Sequence, residues 1–321
     1  MELTSRYGSA QSGMAAGIAC GAGAGALWGL VFLAPELVAG FSPLQLTIGR
    51  YLAYGAISAA LIAPRWSALR HVLGRDEWIM LAWLALAGNT FYYILLAAAV
   101  QIGGMSMTSL VIGFLPVVVT IAGSRDRGAV PLRQLLPSLL MCAAGVICIG
   151  WGAIVSPSAG SVAQQVIGLV CAAGALASWA WFAVGNSRAL TRVRTVSAHE
   201  WSLLIGLVTG AQALILIPFS IAFESMQHAA VDWAKLAGVS IGVAVLASIL
   251  GNALWNRMSR LLPLTMAGQM ILFETLFALL YGFLWEQRWP RALEVAAFGL
   301  VAISVLSCIA AHRGHQRDVA H

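Results

Sequence analysis

Long runs of apolar residues alternate with short polar segments along the whole chain. A helix needs about 20 apolar residues to cross the hydrocarbon core of a bilayer, and most of these runs have about that length. The runs are continuous rather than alternating, and open strand edges cannot face hydrocarbon, so we predict helices and no sheet. Ten spans are predicted, at residues 14–34, 43–63, 77–98, 104–123, 134–154, 165–186, 199–222, 235–256, 264–284 and 291–311.

The composition excludes a water-soluble globule. Only 9% of the residues are charged and 60% are apolar, whereas a soluble domain carries about 25% charged residues. The mean hydropathy of +0.86 agrees with this. The first apolar run follows Arg6 and has the length of a full span, so we expect it to be retained as a span rather than removed as a signal peptide.

Lysine and arginine are concentrated in every second predicted loop. Over these short loops, 14 of them lie on one side of the membrane and three, Lys235, Arg288 and Arg291, lie on the other. Because loops rich in Lys and Arg stay in the cytoplasm, we predict a multi-pass protein whose N and C termini are both cytoplasmic. The same placement explains the net charge of +6 without a nucleic-acid partner, and we expect none.

Tryptophan is frequent at the predicted span ends. Its amphipathic ring prefers the headgroup level of a bilayer. We therefore assign seven tryptophans to interfacial belts: Trp66, Trp78, Trp151, Trp201, Trp233, Trp285 and Trp289.

Two short motifs recur about half a chain apart. Ala-Leu-Trp-Gly at residues 26–29 is echoed by Ala-Ser-Trp-Ala at residues 177–180, and the Gly88-Asn89 pair is echoed by Gly251-Asn252. Each predicted half holds five spans, an odd number, so the second half enters the membrane from the opposite side, as in the inverted repeats of transporters. We predict an all-α membrane protein with two inverted five-helix repeats around a central cavity. The repeats are residues 1–155 and 163–311, and residues 312–321 form a cytoplasmic tail.

Glycines recur on every turn of the first predicted span, at Gly13, Gly17, Gly21, Gly25 and Gly29. A face made of small residues lets another helix backbone approach closely, and helix association in lipid depends on such close fit. We therefore predict that this face packs against another helix.

Two charged residues, Arg50 and Glu274, lie inside predicted spans and away from the span ends. Glu274 is the only acid near the middle of a span, where burying a carboxylate costs at least ~2.5–3.5 kcal/mol, so it must face the bundle interior or be protonated. It either holds a substrate ammonium or a proton in a cavity, or it locks neighbouring helices through polar bonds. Arg50 either binds a substrate carboxylate with its forked guanidinium or makes a structural pair, for which Glu36 is the candidate partner.

Amides and aromatic rings complete the candidate site. Asn89, Asn252 and Gln269 either satisfy backbone carbonyls of neighbouring helices or face the cavity. Trp28 and Trp179 are the first candidates for the cavity lining, because the repeat pairs them. An apolar pocket with a few polar groups is typical of small-molecule sites. The candidate substrate-binding set is Trp28, Arg50, Asn89, Tyr92, Tyr93, Trp179, Asn252, Trp255, Gln269, Phe273 and Glu274.

The chain resembles the drug/metabolite transporter superfamily, with two EamA-type five-helix halves, and within it the YddG-type aromatic amino acid exporters. The residues that carry the resemblance are the motif at 26–29, Arg50, Gly88-Asn89, Leu115-Pro116 and the block Phe273-Glu274-Thr275…Trp285-Glu286. The resemblance implies export of amino acids, aromatic ones included, and of related metabolites across a bacterial inner membrane. It also implies that the cavity is lined by spans 1–4 and 6–9, with spans 5 and 10 peripheral.

Several mechanisms stay open. The sequence holds no nucleotide-binding loop, so the driving force is expected from a gradient, either by proton exchange through Glu274 or by passive facilitated diffusion. A channel needs a ring of polar groups around an axis, and a membrane-embedded enzyme needs an acid–base or metal cluster at one depth. Neither pattern is found in the sequence, so we expect a transporter, not an enzyme, with no cofactor or metal. Its expected partners are a small-molecule substrate and the lipid bilayer, and it is either a monomer or a homodimer.

Overall fold

The computed structural model describes residues 2–38, 40–103, 108, 111–125, 129–155, 162–285, 287, 289–290 and 292–320. These residues form helices, turns and bends, and none of them forms a strand. The prediction of an all-helical chain is therefore confirmed for the part that the structure describes.

The helices follow one another with short connections. In chain order they are α1 (Glu2–Gly29), α2 (Ala34–Leu37), α3 (Pro43–Ile62), α4 (Trp66–Val72), α5 (Arg75–Ala85), α6 (Phe91–Gly103), α7 (Leu115–Gly123), α8 (Leu132–Val155), α9 (Val162–Arg192), α10 (Ala198–Phe223), α11 (Ala230–Val243), α12 (Asn252–Leu261), α13 (Leu264–Met270), α14 (Leu272–Trp285) and α15 (Ala292–Ala320). Two π-helical turns, Leu86–Thr90 and Ala244–Gly251, join α5 to α6 and α11 to α12.

Six helical segments of the described chain are long and apolar enough to cross a membrane. They are Pro43–Val72, Arg75–Ala99, Ala163–Arg192, Ala198–Phe223, Ala230–Leu261 and Val295–His315, and a shorter apolar segment covers Leu264–Ala278. Each of the six overlaps one predicted span. The predicted span at 104–123 falls partly on residues outside the described chain. The count of ten crossings stays a prediction.

Capping residues explain where α3 and α10 begin. Ser42 Oγ accepts a hydrogen bond from the Gln45 amide at 3.0 Å, and the Gln45 side chain accepts one from the Ser42 amide. Ser197 and Glu200 form the same reciprocal pair at the start of α10. Such capping boxes satisfy backbone donors that a helix terminus leaves without a partner. Arg65, which follows α3, forms an ion pair with Glu200 at 3.1 Å. This pair joins the segment after α3 to the start of α10.

The helices pack in a small number of extensive pairs. α3 packs along α10, α8 along α15, and α6 along α9. α1 packs against both α12 and α14, and α7 packs against α13. Most of the buried apolar side chains therefore form one continuous core cluster that includes residues from both halves of the chain.

Glycine permits the closest of these approaches. The predicted packing of the α1 glycines is confirmed for all but Gly13, where an added Cβ would meet nothing within 4 Å. A Cβ atom added at Gly25 would lie 2.7 Å from the backbone nitrogen of Glu274, and one at Gly29 would lie 3.0 Å from that of Ala278. α3 and α10 also cross backbone to backbone, since a Cβ at Gly55 would lie 2.5 Å from Gly210 Cα. Any larger side chain at these positions would separate the helices.

One predicted belt residue, Trp201, is instead completely buried, with 0% of its surface exposed. Its indole N–H donates to Asn186 Oδ1 at 2.9 Å, and Asn186 Nδ2 donates to Asn256 Oδ1 at 2.8 Å. The prediction was wrong because Trp201 sits near a helix start, where interfacial rings are common, but α9 and α12 cover it. Trp289 is 92% exposed, consistent with a belt position.

The last helix continues beyond the predicted start of the tail. α15 runs to Ala320, so residues 312–320 extend the helix. His312 is buried there, with Nε2 2.8 Å from Thr265 Oγ1 and Nδ1 2.8 Å from the Cys308 carbonyl oxygen. The first residue of the predicted tail is therefore packed against α13.

Candidate functional site

Three indole rings from different helices meet in one cluster. Trp28 lies in the last turn of α1, Trp179 in the middle of α9 and Trp255 in α12. The ring centroids are 6.0 Å apart for Trp28 and Trp179, 5.1 Å for Trp28 and Trp255, and 5.6 Å for Trp179 and Trp255. All three are buried. The two tryptophans that the repeat pairs are thus in direct contact, and we call the three rings the indole cluster.

The polar edges of the indole cluster are not equally satisfied. Trp28 Nε1 donates to the Ala247 carbonyl at 3.1 Å. Trp255 Nε1 is buried and has no hydrogen-bond partner among the described residues, although only 2% of the Trp255 surface is exposed. Buried indole N–H groups usually have a partner. The Trp255 N–H is therefore an unsatisfied donor among the described residues.

Arg50 in α3 is buried among neutral groups. Its Nε donates to Ser248 Oγ at 3.3 Å, and its Cζ lies 5.2 Å and 5.1 Å from the ring centroids of Tyr51 and Tyr93. Aromatic faces attract a guanidinium cation at such distances. Among the described side chains no carboxylate forms an ion pair with it. The predicted partner Glu36 has a side chain outside the described set.

Glu274 lies near the start of α14, just after the break at Ile271 that separates it from α13. Its side chain is half-buried. The carboxylate is near enough to Arg50 and Tyr92 for electrostatic interaction, yet no hydrogen bond or ion pair joins it to another described residue. The neighbouring Phe273 packs its backbone and Cβ against Gly25.

Two tyrosines of α6 connect the charged residues to the indole cluster. The Tyr92 ring centroid lies 6.4 Å from that of Trp179, and the Tyr93 ring lies 6.0 Å from that of Tyr51, beside Arg50. We call the resulting group the central site, and it consists of Trp28, Arg50, Tyr92, Tyr93, Trp179, Trp255 and Glu274. Seven of the eleven predicted candidates therefore lie together.

The two asparagines of the repeat lie at the π-helical turns. Asn89 lies within the turn Leu86–Thr90, and Asn252 follows the turn Ala244–Gly251 directly. Asn89 Nδ2 donates to Thr209 Oγ1 at 3.0 Å, and Asn252 Nδ2 donates to the Tyr54 hydroxyl at 3.4 Å. These amides thus bond to α10 and α3, the central helix pair, rather than to the indole cluster.

A side chain from the crossing helix bonds to each π-helical turn. Ser178 Oγ donates to the Ala87 carbonyl at 2.8 Å, and Trp28 Nε1 donates to the Ala247 carbonyl at 3.1 Å. Ser178 precedes Trp179, so each of the motifs at 26–29 and 177–180 provides one donor to a π-helical turn in the other half of the chain. π-Helical turns are rare and occur frequently at functional sites.

Gln269 lies in a separate polar network, which we call the Gln269 network. Its Nε2 donates to Thr120 Oγ1 at 3.0 Å, and its Oε1 accepts from Ser138 Oγ at 3.1 Å and from Ser304 Oγ at 3.2 Å. These bonds join α13 to α7, α8 and α15. Gln269 is completely buried and its polar groups are all used within the protein.

The candidate substrate-binding set predicted from the sequence does not include Ser248, Tyr51 or Tyr54. Ser248 is the only hydroxyl in the turn Ala244–Gly251, and a single polar residue in an apolar run is a signal that was available. Tyr51 follows Arg50 directly, but only the structure shows that its ring lies beside the guanidinium. Tyr54 donates to the Ser202 carbonyl at 2.8 Å while it accepts from Asn252.

Comparison with known proteins places this geometry in context. A profile of the EamA-like transporter family matches residues 15–151. The chain is 31% identical over 304 residues to the inner membrane protein YtfF of Escherichia coli (strain K12), and the match covers 90% of this chain and 93% of that protein. One crystal structure has the same fold, with a TM-score of 0.74 at 19% identity over 93% of this chain and 98% of that chain.

Proposed function

Because the chain belongs to the EamA-like transporter family, we propose that it exports amino acids, aromatic ones included, and related small metabolites by alternating access. The observation that carries the proposal is the central site, where a cation, an anion and a cluster of aromatic rings lie together without an ion pair among the described residues. We place the chain in a bacterial inner membrane with both termini in the cytoplasm, as its loop charges predict.

Each part of the central site suits one part of an aromatic amino acid. The guanidinium of Arg50 suits a carboxylate, and the carboxylate of Glu274 suits an ammonium. The indole cluster and Tyr92 suit a ring, since aromatic pairs favour edge-to-face and tilted contacts. An apolar surface discriminates weakly between side chains that differ by a methylene. We therefore expect a broad substrate range that includes other apolar amino acids.

The pairing of the helices supports two inverted five-helix repeats, residues 1–155 and 163–311. If the first half is exchanged with the second, the contacts between α3 and α10 and between α8 and α15 remain the same pairs. The contact of α6 with α9 becomes that of α12 with α1, and both are present. The two π-helical turns and their donors follow the same exchange. A pseudo-two-fold of this kind generates two related conformations open to opposite sides.

The closed indole cluster favours alternating access over an open pore. Its rings contact each other at centroid distances of 5.1–6.0 Å. A substrate that reaches the centre must therefore separate them, which couples passage to a movement of α1, α9 and α12. A passive facilitator of the same fold would share this movement, and transport measurements distinguish the two.

Counterflow in proteoliposomes tests the proposed substrate and mechanism. Vesicles loaded with unlabelled tryptophan are expected to accumulate labelled tryptophan transiently, with saturation and with competition by phenylalanine. Flux that rises linearly with concentration would indicate a pore. Saturable transport of another metabolite without competition by any amino acid would contradict the proposed substrate while retaining the transporter.

Proton exchange through Glu274 is tested with Glu274→Gln, which keeps the shape and removes the charge. Wild-type transport is expected to depend on pH, and the variant is expected to lose that dependence. Asp232→Asn on the exposed first turn of α11 is the matched control. A variant that keeps the wild-type pH profile would exclude Glu274 as the proton carrier, and a flat wild-type profile would favour passive diffusion.

A further inference from the structure

A groove with one charged end lies between α1, α12 and the start of α10, and we call it the basic groove. Its volume is about 390 Å³, within the range of about 300–1,000 Å³ that small-molecule sites occupy. Leucine and alanine side chains make up most of its described lining, and the two polar members of that lining are His199 and Arg257. It shares no lining residue with the central site.

The apolar part of the basic groove lies at membrane depth. Leu250 lines it from the π-helical turn before α12 and is 47% exposed. α10 and α12 both lie in segments that are long and apolar enough to cross a membrane. α1 packs closely against α12 beside the groove, since a Cβ added at Gly23 would lie 3.1 Å from Leu254 Cδ1. The exposed leucine surface of the groove therefore faces lipid chains.

The charged end of the basic groove lies at one membrane surface. Arg257 is exposed and comes four residues before Leu261, where its membrane-length segment ends. From Arg257 to Leu250 is seven residues, about 10 Å along the helix axis, which is less than half of a hydrocarbon core about 30 Å thick. The groove thus runs from the headgroup level towards the bilayer centre within one leaflet. The loop charges predict that this leaflet is the cytoplasmic one.

Arg257 and Arg260 both lie near the end of α12, but only one of them bonds to the protein itself. Arg260 Nη2 donates to the Val196 carbonyl at 2.6 Å. Arg257 forms no hydrogen bond or ion pair with another described residue. No carboxylate belongs to the described lining, and Glu200, which follows it in sequence, is paired with Arg65 at 3.1 Å. The positive charge at the end of the groove is therefore not neutralised by a described side chain.

A cation at the headgroup level and an apolar groove below it match the two parts of a phospholipid. A guanidinium binds phosphate oxygens through parallel N–H donors, and basic pockets between membrane helices on the cytoplasmic side bind anionic headgroups. A small soluble anion would occupy only the charged end and leave the leucines uncovered. We propose that the basic groove binds an anionic phospholipid of the cytoplasmic leaflet, with its phosphate on Arg257 and one acyl chain along Leu254 and Leu250.

Phosphatidylglycerol titrated into the delipidated full-length protein, with bound lipid counted by native mass spectrometry, tests the charged contact. Arg257→Gln is expected to bind this lipid about 5-fold more weakly, the contribution of one arginine beside anionic lipid. Arg75 is exposed at the start of α5, outside the groove, so Arg75→Gln is the control that removes the same charge. The control is expected to keep the wild-type affinity. Equal affinity of the two variants would overturn the proposal.

A bulky side chain tests the apolar part of the basic groove. Ala253 lines the groove, and Ala253→Trp fills it. Val170 on α9 is 65% exposed outside the groove, so Val170→Trp is the control of equal bulk. Wild type and Val170→Trp are expected to retain one phosphatidylglycerol in mild detergent that Ala253→Trp loses. Equal retention in both tryptophan variants would overturn the proposal.

Competition identifies the occupant of the basic groove. Phosphatidylethanolamine, which carries no net charge, is expected to bind more weakly than phosphatidylglycerol, and inorganic phosphate is expected to displace neither. Displacement by inorganic phosphate would make this a site for free anions and overturn the assignment of a lipid. Displacement by tryptophan would place the groove on the substrate route and overturn it as well. Lipid binding is measured without transport, so its failure is distinct from a failure of the proposed function.

Discussion

Gln269 and Trp255 are both buried polar side chains in the helical bundle, but their hydrogen bonding differs. Each polar group of Gln269 is bonded, to Thr120, Ser138 and Ser304. The indole N–H of Trp255 has no partner among the described residues. Arg50, in the same central site, donates to the neutral Ser248 and lies beside the rings of Tyr51 and Tyr93, without an ion pair to a described carboxylate.

This difference separates structural polar groups from groups available to a ligand. In hydrocarbon an unsatisfied group is costly, so a buried group without a partner is a candidate for binding a ligand. Every polar group of Gln269 is bonded within the protein, so the Gln269 network is explained by a structural role that holds the helices together. Among the described residues, the central site holds a donor without a partner and a cation and an anion without an ion pair, and this supports the binding site that we propose.

The largest expected effect comes from Arg50→Ala. Removing the charged hydrogen-bond donor to a substrate carboxylate is expected to lower transport efficiency by about 100-fold, because such bonds contribute about 1.5–3 kcal/mol. The measurement is the initial rate of amino acid counterflow per folded protein. If the variant transports normally, Arg50 is structural and the comparison with Gln269 fails.

Gln269→Leu is expected to affect stability instead of transport. It leaves hydroxyls of Thr120, Ser138 and Ser304 without an amide partner, at a cost of about 2 kcal/mol in the free energy of unfolding. Unfolding by detergent titration measures this cost. The folded fraction is expected to retain the wild-type KM, and a changed KM would assign Gln269 to the binding site.

Two conservative tryptophan variants sharpen the comparison within the indole cluster. Trp255→Phe removes the unpaired donor and is expected to lower transport efficiency by about 5-fold without loss of stability, since one ligand hydrogen bond disappears. Trp28→Phe removes a donor already bonded to Ala247 and is expected to cost about 1 kcal/mol of stability. Counterflow and thermal unfolding are measured on both. The opposite assignment of effects would contradict the inferred role of the free N–H.

Ser304→Ala gives the smallest expected effect. The hydroxyl of Ser304 has one hydrogen, which it shares between the Ser138 carbonyl at 2.7 Å and Gln269 Oε1 at 3.2 Å. Gln269 Oε1 keeps its bond from Ser138, so the variant loses this single shared donor, at about 0.6 kcal/mol. Detergent unfolding resolves this change when it is measured beside Gln269→Leu. A destabilisation equal to that of Gln269→Leu would mean that the loss of one hydrogen bond disrupts the whole Gln269 network.

Much of the helical fold follows from the sequence because it depends on local patterns. Apolar runs predicted the membrane-length helices, and Ser42 and Ser197 fix where α3 and α10 begin. The repeat paired Trp28 with Trp179, and the two rings are in contact. These features need only spacing, composition and capping.

The remaining features depend on contacts between distant residues. Trp201 lies near a helix start, where belt residues are common. It is buried because α9 packs against it and provides Asn186 as a hydrogen-bond partner, and this contact cannot be read from the local sequence. Gln269 was predicted as a cavity residue. Its three hydrogen-bond partners lie on three other helices, so its structural role could not be recognised from the sequence. The π-helical turns also escaped prediction, since their carbonyls are bonded by Ser178 and Trp28 from crossing helices.

The contact of Gly55 with Gly210 has a mechanical consequence. α3 and α10 approach backbone to backbone at these two glycines, with no side chain between them, so a rotation of one helix against the other at this crossing would meet no side chain there. Under the proposed alternating access, such a rotation would draw the ends of the two helices together on one membrane face and spread them on the other. A methyl group added to Gly55 or Gly210 would push the two helix backbones apart at this crossing. The change is therefore expected to affect the openings on both membrane faces equally.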